Sequence, residues 1–121
     1  MLRKRLESFK YAFQGIASMF ASEPNAIIHA LMTIVVIAAG FFFQVSPTEW
    51  CLLSLAIAAV FCAEAFNTAL ESLTNLVSPD HHPLAGKTKD VAAGAVLCMA
   101  IGAAVVGLII FIPKIMTYLN N

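Results

Sequence analysis

Charge is what this sequence has least of. Asp, Glu, Lys and Arg make up 12% of its 121 residues, against roughly 25% in a soluble domain. Basic and acidic residues stand at 7 each, so the formal net charge is zero. That excludes a basic nucleic-acid-binding domain and a charged disordered chain, and no nucleic-acid partner is expected. There is no GxxxxGK[ST] and no GxGxxG, so neither a P-loop nor a protein-kinase nucleotide site is present. The three cysteines, Cys51, Cys62 and Cys98, follow no metal or redox spacing. They sit in apolar runs and read as small buried hydrophobes. No apolar core of about 7–15 residues with a small-residue cleavage site follows Met1–Arg5, so no signal peptide is expected. Internal repeats and low-complexity segments are absent too.

What is there is apolar. The hydrophobic share is 60% and the mean hydropathy is +0.86. Polar residues are confined to short stretches between apolar runs, the pattern of an all-α integral-membrane protein forming one domain over 1–121. Residues 6–20 place Leu6, Phe9, Phe13, Ile16 and Phe20 at helical spacing, with Lys10 and Gln14 on the other side. This predicts an amphipathic helix suited to the bilayer interface; the alternative is a helix packed on a partner.

Three spans follow, at about 26–43, 50–76 and 91–112. Trp50 reads as an interfacial anchor. Pro79 and Pro83 break the chain between the second and third spans, and Pro113 and Lys114 are expected to close the third. Arg3, Lys4, Arg5, Lys10, Lys87 and Lys89 lie on one side of the predicted membrane, and only Lys114 on the other. The positive-inside bias places the N-terminus and the 78–90 loop in the cytoplasm.

Carboxylates stand where lipid is expected. Glu64 and Glu71 are seven residues apart and project within about 20° of each other on a helix. Asn67 and Thr68 flank that line and Asn75 continues it. A charge at the bilayer centre costs about 2.5–3.5 kcal/mol even on the lenient insertion scale, so two on one stripe point to chemistry. From Trp50, Glu64 lies about 21 Å along the helix axis, below the cytoplasmic boundary of a core about 30 Å thick. Glu71 lies about 10.5 Å further, at the aqueous edge. The inner carboxylate suits proton abstraction from a lipid alcohol, and the outer one suits Mg²⁺ carrying phosphates. Two other readings of the stripe are interhelical hydrogen bonding that fixes an oligomer, and a proton or cation conduit.

The 78–90 loop brings His81, His82, Lys87, Lys89 and Asp90 to the same face. Lys89 is expected just before a helix start, beside free N–H groups suited to phosphate. The two histidines are expected to be solvated rather than metal-bound, and the alternative for Lys87 and Lys89 is plain positive-inside anchoring. Glu23, before Pro24, is either a charge stabilised by a helix N-terminus or a second metal ligand. His29 is expected to be packed and satisfied. Ala92, Ala93, Gly94, Ala95, Gly102, Ala103 and Gly107 allow close helix approach in the third span. Three helices can hardly shield the polar stripe, which calls for oligomerisation.

The stretch Glu64-Ala-Phe-Asn67-Thr68-Ala-Leu-Glu71, then His81-His82-Pro83-Leu84-Ala85, then Lys89-Asp90-Val-Ala-Ala-Gly-Ala-Val96 resembles the prokaryotic diacylglycerol kinase and undecaprenol kinase family. That family's pattern is E-x-x-N-[ST]-A-[IL]-E, H-x-L-[AS] and A-K-D-x-[AG]-[AS]-A-V, and the likeness covers nearly the whole chain. It implies a homotrimeric enzyme of the bacterial cytoplasmic membrane that moves the γ-phosphate of MgATP to a lipid alcohol. By that resemblance Glu64 is the general base at the lipid substrate and Asn67 a second catalytic residue. Glu23 and Glu71 hold Mg²⁺. ATP contacts fall on Tyr11, Glu23, Glu71, Asp80, His81, His82, Lys89 and Asp90, with Arg3, Lys4 or Arg5 as a further N-terminal contact. Asn75 in place of the family's usual Asp, Thr88 in place of Ala, and no basic residue in 24–28 are departures that leave the Glu64–Asn67–Glu71 core intact. The His-His-Pro-Leu-Ala segment and the 107–114 ending look more like the undecaprenol branch than the enterobacterial diacylglycerol branch.

Overall fold

The computed structural model describes all 121 residues as four helices: α1 (Leu2–Ser22), α2 (Pro24–Phe42), α3 (Pro47–Val77) and α4 (Pro83–Leu119). The last three are each long and apolar enough to cross a membrane. Each of them begins with proline at its first position. Proline has no N–H to lose there, and its fixed φ suits a helix start. Pro83 therefore opens α4 instead of breaking the chain. It leaves only 78–82 as connection, where a loop to residue 90 was expected.

At the other end, α4 runs straight through Pro113 to Leu119. This corrects the expected stop at Pro113 and Lys114: a membrane helix tolerates proline where the freed backbone groups find other partners. The group that Pro113 frees is the Ile109 carbonyl, one turn back along α4. Likewise α1 spans 2–22, longer at both ends than the periodic apolar run.

α2 closes with its C′ residue, Gln44, in the left-handed region at φ 51°. The Val45 N–H donates to the Gly40 carbonyl at 3.1 Å and the Gln44 N–H to Phe41 at 3.3 Å, the hydrogen-bond pair of a Schellman turn. Ser46 then caps α3 in a reciprocal box with Glu49. Glu49 also pairs with Lys114 at 3.1 Å, tying α3 to α4 at this end. Gly40 lies under the Trp50 indole, whose Cζ2 would stand 2.8 Å from an added Cβ. Close by, Val45, Leu53 and Ile110 form a small core flanked by Trp50 and Phe111.

α3 and α4 form the tight antiparallel pair of the fold. α2 has buried residues only near its ends, Ala26 and Gly40. Between those two anchors a groove of about 470 Å³ separates α2 from α3 and α4, with Ile57, Val60, Ala103 and Gly107 among its walls. α1 docks only through its C-terminal end, where Met19 is buried and the Phe20 ring meets Phe61 at 5.7 Å. Leu6, Phe9 and Phe13 are more than half exposed, so the apolar stripe of α1 faces outward.

Only 11 of 121 residues are buried. Cys51, Cys62 and Cys98 are not among them: all three are exposed on the helix surfaces, contrary to the expectation of buried thiols. An apolar run in a membrane helix marks a surface that lipid or a sister chain accepts as readily as a core. The glycines of α4 also differ from expectation. An added Cβ at Gly94, Gly102 or Gly107 would meet no atom within 4 Å, so none serves close helix approach within one chain.

Candidate active site

The two most deeply buried polar side chains are Glu64, 1% exposed, and Asn67, 6% exposed. They lie one turn apart on α3. Glu64 is 13 residues from the α3 end at Val77, and Val96 is 13 residues from the α4 start at Pro83, which sets the two level in the antiparallel pair. By the same count Asn67 lies beside Ala92 and Ala93. Ala92 and Val96 are the buried α4 residues at this level, and Met19 and Ala26 are those of α1 and α2. All four helices thus close over the polar pair. One chain thus encloses Glu64 and Asn67, while Thr68 and Glu71 of the same stripe stay partly exposed and Asn75 is exposed.

The burial is incomplete in one respect. Glu64 Oε1 and Asn67 Oδ1 have no hydrogen-bond partner. Each such orphan costs about 1–3 kcal/mol unless a water, an ion or a substrate group meets it. His29 on α2 brings its Nε2 to 3.3 Å from Glu64 Oε1, close but outside hydrogen-bonding alignment. The sequence-based expectation for His29 is a packed and satisfied side chain. It instead faces the central carboxylate while its side chain remains 23% exposed. The one signal was a histidine in an otherwise uncharged span; its partner lies on another helix and left no spacing to read.

Toward the connection end, Glu23 at the α1–α2 junction meets Glu71 on α3. Burial, a side-chain hydrogen bond with Glu71 and the charges of Glu71 and Glu64 together push the Glu23 carboxyl up from 4.5 to about 6. That hydrogen bond needs a proton, which Glu23 carries below about 6 and offers to the Glu71 carboxyl. A divalent cation relieves the same repulsion without a proton. No three His, Cys, Asp or Glu side chains converge on one metal position. Two carboxylates are nevertheless a fitting set for Mg²⁺, which completes its shell with water and phosphate oxygens.

The remaining expected residues divide. Lys89 lies in the second turn of α4, six residues past Pro83, and not just before a helix start. The first free N–H of α4, that of Leu84, is already capped by His82 Nδ1 at 3.1 Å. The Gly86 N–H is taken by the His82 carbonyl. Lys89 therefore does not stand beside free helix-start N–H groups, contrary to expectation, and contributes as a side chain only. It is half-buried and level with Glu71, since each lies six residues from the 78–82 connection. Asp80, His81, His82 and Asp90 are exposed. Tyr11 is 64% exposed and sits about 18 Å along α1 from Glu23, so one chain does not bring it to the carboxylates. Arg3 pairs with Glu7 at 3.4 Å, further out still.

Residues 10–111 match the family model described as prokaryotic diacylglycerol kinase. Undecaprenol kinase of Bacillus subtilis is 39% identical over 114 residues, 94% of this chain and 93% of that protein. A diacylglycerol kinase of Synechocystis is 38% identical over 113 residues, 93% of this chain and 65% of its own length. Diacylglycerol kinase of Escherichia coli K12 is 22% identical over 95 residues, 78% of each chain. The motif residues, the three apolar helices and these matches agree: the chain belongs to the prokaryotic diacylglycerol kinase family and is an integral-membrane lipid kinase with ATP as co-substrate.

Proposed function

We propose that the chain transfers the γ-phosphate of MgATP to the hydroxyl of undecaprenol, on the face formed by Glu64, Asn67 and Glu71. The observation that carries this is the pair of buried, unpartnered oxygens, Glu64 Oε1 and Asn67 Oδ1. They sit about one to two turns below the proton-sharing Glu23 and Glu71 carboxyls. Such an arrangement accepts a hydroxyl proton at its inner end and a cation-bound polyphosphate at its outer end. Bound Mg²⁺ would supply charge neutralisation of the polyphosphate, and Glu23 and Glu71 are the residues to hold it. Lys89 adds an ammonium at the same level. Asp80, His81, His82 and Asp90 lie along the nucleotide's approach, and Tyr11 with Arg3–Arg5 extends it along α1. Glu64 supplies the negative charge that draws off the hydroxyl proton as the lipid oxygen attacks, and Asn67 helps to set the line of attack. Phosphoryl transfer depends mostly on positioning and charge neutralisation, so this sparse set suffices.

Undecaprenol is favoured as acceptor because the Bacillus subtilis undecaprenol kinase is similar over nearly the whole of both chains. Diacylglycerol is the second reading, since the Synechocystis diacylglycerol kinase is almost as similar. We further propose the bacterial cytoplasmic membrane, with the N-terminus and the 78–82 connection cytoplasmic, because the positive charges cluster there. A homotrimer is supported by the exposed apolar flanks and the unused glycines of α4. The whole chain, 1–121, acts as one domain in this reading. The test is transfer of labelled γ-phosphate in detergent micelles to undecaprenol and to diacylglycerol, side by side, by wild type and Glu64→Gln. Undecaprenol is expected to be labelled faster by wild type, and Glu64→Gln to lose at least about 10²-fold. Faster labelling of diacylglycerol replaces the acceptor, and labelling of neither refutes the kinase site.

A further inference from the structure

We propose that His29 is the group through which the lipid hydroxyl reaches Glu64: its imidazole takes the hydroxyl proton at Nδ1 while Nε2 faces the Glu64 carboxylate. The proposal deepens the lipid-kinase reading and rests on it.

Access is the first support. The Glu64 side chain is 1% exposed and the His29 side chain 23%. His29 lines the groove between α2 and the α3–α4 pair, and Glu64 does not. Apart from His29 the only side chain with a polar group in that lining is Thr33, and its hydroxyl is committed to the His29 carbonyl at 2.7 Å. An alcohol whose apolar tail lies in the groove therefore meets the imidazole first, with the carboxylate behind it.

Alignment is the second support. Nε2 stands 3.3 Å from Glu64 Oε1, an oxygen that has no other partner. A small ring rotation turns this contact into a hydrogen bond. With Nε2 carrying its proton toward Glu64, the neutral ring leaves Nδ1 as an acceptor. The carboxylate then fixes the tautomer and stabilises the imidazolium as it forms, the division of labour known from hydrolase triads.

The step balances as follows. The lipid oxygen bonds to the γ-phosphorus while the bond from that phosphorus to the β–γ bridging oxygen breaks, and ADP leaves with the electron pair. The hydroxyl proton passes to Nδ1, giving an imidazolium–carboxylate pair instead of a lone charge beside the apolar groove. The pair returns its proton to water once the phosphorylated lipid has left.

The test compares His29→Gln, His29→Ala and Glu64→Gln with wild type, measuring kcat and the KM for lipid and for ATP. Thermal midpoint and oligomeric state in detergent confirm that each variant is folded. His29→Gln is expected to lower kcat by about 10²-fold or more with the KM for ATP unchanged. Added imidazole is expected to restore part of the activity of folded His29→Ala and none of that of Glu64→Gln. A His29→Gln kcat within about threefold of wild type, beside an inactive Glu64→Gln, overturns the role of His29 and leaves the kinase reading standing. A folded His29→Ala that imidazole does not rescue overturns the proton transfer. A wild type that phosphorylates no lipid alcohol removes both readings together.

Discussion

The proton shared by Glu23 and Glu71 makes metal binding depend on pH in a direction fixed by the structure. The Glu23 carboxyl titrates at about 6 in the folded chain, against 4.5 for a free glutamate. A cation entering between the two carboxyls must displace that proton. With a midpoint near 6, about nine tenths of Glu23 is ionised at pH 7 and about one tenth at pH 5, so the metal dissociation constant rises about tenfold between them. Glu23→Gln has no proton to displace: its slope disappears, and its affinity at pH 7 falls by about tenfold or more. The assay is Mn²⁺ binding, followed by paramagnetic resonance with a non-hydrolysable ATP analogue present. Stability moves the same way. Between 4.5 and about 6 the folded chain binds more protons than the unfolded one, so stability falls as pH rises through that window. Without a divalent cation, the thermal midpoint in detergent should be higher at pH 4.5 than at pH 7, and Glu71→Gln should flatten the difference. A metal constant that is level from pH 5 to 7 in wild type, or equally sloped in Glu23→Gln, refutes the shared-proton argument.

Other substitutions probe the scaffold. Gly40→Val should destabilise by about 1–3 kcal/mol through overpacking against Trp50; the combination with Trp50→Ala should recover part of the loss in detergent unfolding. Gln44→Gly should stabilise by about 1 kcal/mol, because only glycine takes the left-handed C′ position without steric cost. Gly107→Leu leaves the helix backbone unobstructed but projects a side chain into the groove. It should lower kcat/KM for the lipid by about tenfold while the KM for ATP stays constant.

Much of this architecture was legible before any coordinates. The three apolar helices announce themselves by length, and the Glu64–Asn67–Glu71 stripe by the 3.6-residue period, since both are properties of one continuous segment. The helix ends were harder. Pro83 and Pro113 were both read as stops, yet one starts α4 and the other lies within it; proline limits only its own φ and N–H, and the neighbouring turn decides the outcome. The contacts between helices were not legible at all. That His29 meets Glu64, 35 positions later in the chain, follows from how α2 crosses α3, which no local period encodes. The same holds for the cover that Met19 provides and for the separation of Tyr11 from the carboxylates.

The scarcity of interior positions has a consequence for how such a chain tolerates change. With 11 of 121 side chains enclosed, most apolar sites on the outer faces of α2, α3 and α4, away from His29, Glu71 and Lys89, answer to the solubility of their side chains in oil. Exchanges among Leu, Ile, Val, Phe and Met should drift almost freely there. Saturation mutagenesis should therefore return a sparse map, dark at Met19, Glu23, Ala26, His29, Gly40, Glu64, Asn67, Glu71 and Ala92 and pale along the greasy flanks.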